Sequence, residues 1–102
     1  MIYKLYDLRV TTCGDEKQFN CSHILGQGFE VRGENISFIE GTEYFSHYAL
    51  ASLMPFIAAK QRVTDSADWM FYEDSIACPD PLCGARFKIE RISRSTYEYG
   101  DA

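Results

Sequence analysis

Three thiols and one imidazole are the side chains best suited to chemistry: Cys21 and His23 in one segment, Cys78 and Cys83 in another. Thiolate and imidazole are the ligands that zinc and related metals prefer, and a closed tetrahedral site takes four of them. The C-x4-C spacing from Cys78 to Cys83 lies at the edge of a zinc-knuckle pattern, with Pro79 and Pro81 stiffening the intervening turn. Cys13 and Cys21, a C-x7-C pair, are poorly spaced for ligation. If the four side chains meet, zinc or iron is the expected ion. Two other readings stay open. In one, Cys21 or Cys78 beside His23 is a thiolate of lowered pKa, a nucleophile or redox centre, although the chain has no C-x-x-C motif. In the other, Cys78, following Ile76 and Ala77 in a strand, is a small buried core residue.

A second group of candidates lies in the middle of the chain. His47 follows Glu43 by four residues, so a helix would put both on one face, with Glu40 just ahead. Such a pair can bind a metal or move a proton, but more often it is a helix-surface contact. Tyr44, Phe45, Tyr48, Phe56, Trp69, Phe71 and Tyr72 outnumber what one small core requires. Tyr44, His47 and Trp69 are the candidate binding residues, since Tyr and Trp favour interfaces. Asp65, Asp68, Glu73 and Asp74 lack the glycine and terminal glutamate of a calcium loop and read as a solvated loop. There is no phosphate loop, dinucleotide fingerprint, Ser-His-Asp set or His-Glu-x-x-His run, and no catalytic residue is assigned.

The elements that must position these groups follow from periodicity. Residues 2–11 alternate, with Ile2, Tyr6, Leu8 and Val10 on one face of a first strand. A polar loop follows, carrying Cys13, Cys21 and His23. Residues 28–39 form a hairpin-like unit turning at Gly33-Glu34-Asn35. From Thr42, a candidate cap, Phe45, Ala49, Leu53, Phe56 and Ile57 recur at helical spacing, and Pro55 divides the run into two helices, about 43–53 and 54–61. A loop over 63–69 ends in Trp69 as an anchor. Residues 75–78 make a short strand stopped by Pro79-Asp80-Pro81, and residues 85–92 the last strand. The expected fold is α+β: a small antiparallel or mixed sheet of about four strands in β-β-α-α-β-β order, with helices on one face. Residues 1–92 would be one domain and 93–102 a loosely held polar tail.

The sequence has 102 residues, 46% of them apolar, which suits one core. A net charge of −5 argues against nucleic-acid binding, and the basic residues Arg86, Lys88, Arg91 and Arg94 read as a solvated strand face. No segment approaches the roughly 20 apolar residues of a membrane span. The start, MIYKLYDLRV, does not read as a signal peptide, so a cytoplasmic location with reduced cysteines is expected.

The run His23-Ile24-Leu25-Gly26-Gln27-Gly28-Phe29, then Glu40-Gly41, Pro55, Trp69, Cys78-Pro79-Asp80-Pro81 and Phe87-Lys88-Ile89-Glu90-Arg91 resembles a family of small uncharacterised proteins, some carrying the unit in tandem. His23, Gly26 and Phe29 match that family's first-loop motif. Cys21 falls one position nearer the phenylalanine than the family's cysteine, and the family's Cys-Pro pair near the helix start has no counterpart between Glu43 and Pro55. The resemblance implies a fold and brings no activity. Two functions are weighed: an accessory module that self-associates as a homo-oligomer or attaches to a larger protein, and a metal- or thiol-dependent protein with a Cys/His site. They differ on one point. Only the second requires the first loop and the Cys-Pro-Asp-Pro turn to meet.

Overall fold

The computed structural model describes residues 1–102. Seven main elements follow in order: β1 (Ile2–Cys13), β2 (Gly28–Arg32), β3 (Asn35–Phe38), α1 (His47–Lys60), α2 (Trp69–Tyr72), β4 (Ser75–Ala77) and β5 (Arg86–Glu98). The five strands form one antiparallel sheet in the order β3-β2-β1-β5-β4. The α+β expectation holds in this form. The strands number five rather than about four, because the extended piece after the Gly33 turn pairs as β3.

Along β1, Leu8 and Val10 point to one face, where they lie opposite Val31 and Phe29 on one side and Arg91 and Ile89 on the other. Ala49, Leu53 and Ile57, spaced four apart on α1, pack onto this face with Leu8, Val10, Phe29, Val31, Phe87 and Ile89 to form the core. That apolar stripe spans both sides of Pro55, so α1 is one continuous helix and not the two expected. It begins later than expected because Ser46, not Thr42, caps it, its hydroxyl accepting the Ala49 amide at 3.3 Å. Thr42 instead accepts the Gly28 amide at 3.0 Å. At the other end Arg91 donates to the carbonyls of Lys60 (2.8 Å) and Arg62 (2.7 Å), tying the helix C-terminus to β5.

β5 continues to Glu98, six residues beyond the expected end of the strand at Ile92. The pairing skips Ile92: Asp7 lies opposite Ser93 and Leu8 opposite Arg91, so β5 carries a bulge there. Ser93 and Ser95 therefore face the side opposite the core and donate their hydroxyls to the buried Asp7 carboxylate, which Arg32 also meets at 3.2 Å. Residues 93–98 are thus ordered as strand rather than held loosely as a tail. Trp69 is no anchor: it opens the short α2 at 63% exposure, edge-on to Phe56. No helix is long and apolar enough to cross a membrane.

Candidate metal centre

Two loops at the same end of the sheet carry the four candidate ligands. The first leaves β1 at Gly14, whose φ of +106° suits glycine and whose α-carbon faces the Gly84 carbonyl closely. Asp15 caps a single 3-10 turn at Glu16–Gln18 by accepting the Lys17 amide at 3.1 Å. Gln18 then receives the Gly84 amide on its carbonyl at 2.9 Å. The loop is also fastened where it returns, since Thr12 donates to Gln27 (2.8 Å) and accepts from Gly26 (3.0 Å) through backbone groups. Cys21 and His23 sit on this doubly tethered arm.

The second loop joins β4 to β5. Asp80 organises it: its carboxylate accepts the Leu82 amide and its carbonyl the Cys83 amide, both at 3.0 Å, while the Cys78 amide bonds the Ala85 carbonyl at 3.0 Å. Cys78 and Cys83 are thereby held at the base and the far side of one turn. Gly84 fits directly against the first loop, because a β-carbon there would lie 2.6 Å from Cβ of Gln18.

The loops bring the candidate ligands together. Cys21 Sγ, a ring nitrogen of His23 and Cys78 Sγ all lie within 4.8 Å of one another. The Cys21 and Cys78 sulfurs are 3.8 Å apart, and Cys78 Sγ is 3.6 Å from His23 Nε2. Cys83 Sγ is in disulfide contact with Cys21 Sγ, the two α-carbons being 6.4 Å apart. It also accepts the Asn20 amide at 3.4 Å. Cys83 is buried, His23 and Cys78 are half-buried and Cys21 is exposed. The His23 ring stands edge-on to Phe87 at 5.0 Å, and burial pushes its pKa below the ordinary value. A neutral imidazole keeps a lone pair for ligation. A hollow of about 320 Å³, lined by Cys21, His23, Ser46, Tyr48, Cys78 and Asp80, opens onto these groups.

Of the residues singled out from sequence, Cys21, His23, Cys78 and Cys83 converge. Cys78 also packs partly against the core, so its reading as a core residue describes its surroundings and not its sulfur. Cys13 stays out: alternation along β1 turns it to the face opposite Val10 and Thr12. Glu43 precedes α1 and so cannot share a helix face with His47. His47 is exposed and lies against Tyr48 at 4.1 Å, Tyr44 is exposed, and Trp69 borders a different hollow, with Ala59 and Val63. Trp69 thus lies at a hollow separate from the one beside the cysteines and His23. Tyr48, Ser46 and the Asn20 amide were not anticipated as neighbours of the cluster. The glycine directly after Cys83 was the one readable sign of how closely the two loops approach.

Comparison with protein-family models, with curated proteins and with solved structures finds no match to this chain. The reading of the site therefore rests on its geometry.

Proposed function

We propose that this protein binds one metal ion, zinc for preference, through Cys21, His23, Cys78 and Cys83, and that the ion clamps the first loop to the β4–β5 turn. One observation carries the reading. With Zn–S bonds of about 2.3 Å and Zn–N bonds of about 2.05 Å, a tetrahedral ion holds two sulfurs about 3.8 Å apart and a sulfur about 3.6 Å from a nitrogen. The Cys21–Cys78 and Cys78–His23 separations are 3.8 and 3.6 Å. The Cys21 and Cys83 sulfurs are in disulfide contact, closer than two ligands of one ion stand, so Cys83 completes the set only in the reduced chain, where that contact opens. Three thiolates and one neutral imidazole form a donor set of the kind that structural zinc takes. The Asn20 amide directed at Cys83 Sγ would steady a thiolate ligand from outside the first coordination sphere. The accessory-module reading does not need the two loops to meet; the metal reading does.

The test is metal per chain in protein purified untagged, anaerobically and without chelator. Close to one zinc per chain is expected, lost in Cys21→Ser and Cys78→Ser and retained in Cys13→Ser. A folded, fully reduced protein that neither carries zinc nor takes it up when supplied would overturn the proposal.

A further inference from the structure

We infer that this centre is also a peroxide-responsive switch, in which oxidation joins Cys21 to Cys83 and expels the metal. The inference rests on the metal reading, and three observations extend it. First, one pair of the proposed ligands can close as a disulfide, and the structure joins it: the Cys21 and Cys83 α-carbons are 6.4 Å apart, within the range that a disulfide spans. Second, the two differ in access. Cys21 is exposed and borders the open hollow, whereas Cys83 is buried behind it. An accessible thiolate backed by a second, sheltered one is the arrangement by which sensor cysteines are oxidised reversibly. Third, the pair consumes half of the donor set. After it forms, His23 and Cys78 remain 3.6 Å apart, and two ligands do not hold zinc as four do.

The oxidant is a peroxide. Metal coordination keeps Cys21 as thiolate, the form that reacts. Its sulfur attacks one peroxide oxygen, the O–O bond breaks, and Cys21 becomes a sulfenic acid as hydroxide leaves. The Cys83 thiolate then attacks the Cys21 sulfur, the S–O bond breaks, a second hydroxide leaves and the disulfide forms. Two thiolates lose two electrons, hydrogen peroxide gains two, and the hydroxides take protons from solvent. A dithiol reductant reverses the change by exchange and restores both thiols. The rapid Cys21–Cys83 closure protects Cys21 from further oxidation to sulfinic acid.

The experiment uses the whole reduced chain loaded with zinc. Hydrogen peroxide is added, zinc release is followed with a chromogenic chelator, free thiols are counted, and a non-reducing digest is mapped by mass. One zinc released for every two thiols lost, with the Cys21 peptide linked to the Cys83 peptide, is the expected result. Dithiothreitol with zinc should restore the starting state, and Cys13→Ser should behave in the same way. Zinc that stays bound through peroxide treatment, or leaves with Cys21 as sulfinic acid or linked to Cys78, overturns the switch and leaves the metal site standing. A reduced chain that binds no zinc overturns both, and the initial loading step separates the two failures.

Discussion

Gly84 shows how much of the candidate centre depends on a single missing side chain. Its α-carbon lies against Gln18, and an added β-carbon would stand 2.6 Å from Cβ of Gln18 and 3.2 Å from its carbonyl oxygen. No rotamer change relieves a clash with a β-carbon and a backbone oxygen, so the arm carrying Cys21 and His23 would have to move away from Cys83. Gly84→Ala should therefore cost about 1–3 kcal/mol, as overpacking does, and weaken zinc binding at least tenfold in a chelator competition. Gly100→Ala is the control: φ there is +96° and a β-carbon would meet nothing within 4 Å, so it adds backbone strain just past β5, at the end of the sheet away from the two loops. It should lower stability and leave zinc affinity alone. Equal zinc affinity in Gly84→Ala and the unmodified protein would mean that the Gln18–Gly84 contact does not set the site.

At the scale of elements, the bulge at Ile92 decides how far the sheet extends. Beyond it, β5 is held to β1 by backbone pairing and by Ser93 and Ser95, whose hydroxyls both reach the buried Asp7. Asp7→Ala would leave the two hydroxyls without their acceptor and Arg32 with Glu30 alone, at a cost of about 2–3 kcal/mol. Amide exchange over residues 93–98 should accelerate while zinc content stays unchanged. Asp7→Asn keeps an acceptor and should cost less; if the two variants are alike in denaturant unfolding, the hydroxyl bonds are not what fixes the strand. The same bulge explains what sequence could and could not reveal. Period-2 alternation exposed β1, β2 and the first half of β5, because Leu8, Val10, Phe29, Val31, Phe87 and Ile89 share one face. After Ile92 the alternation changes phase and the residues become polar, so a strand looked like a tail. Pro55 suggested a helix break since its cost is local, whereas the burial of Ala49, Leu53 and Ile57 that overrides it is tertiary. The ligand types were legible at Cys21, His23, Cys78 and Cys83. Their convergence was not, because it depends on Gln18 meeting Gly84 across the chain.

For the molecule as a whole, the core and the candidate centre are separable. The core is built from α1 and the middle of the sheet, while the candidate ligands occupy loops that meet it through a few backbone bonds and through His23 and Cys78 at its edge. A domain of this size buries roughly two thirds of its unfolded surface and has little stability to spare. A metal present at about a thousandfold over its dissociation constant adds about 4 kcal/mol, and for a chain near this length that raises the melting temperature by roughly 15–30 °C. Removing zinc from the reduced protein with a chelator should lower the melting temperature by that amount without unfolding the sheet at room temperature. The signature is spatial. Amide exchange should rise in residues 14–27 and 78–85, which a bound ion would hold together, while the paired amides of β1 around Leu8 and Val10 keep their protection. If chelation instead exposes β1 and β5 together with the loops, the ion holds the fold itself, as it does in domains that are unfolded without metal. If neither loop responds, no ion joins them.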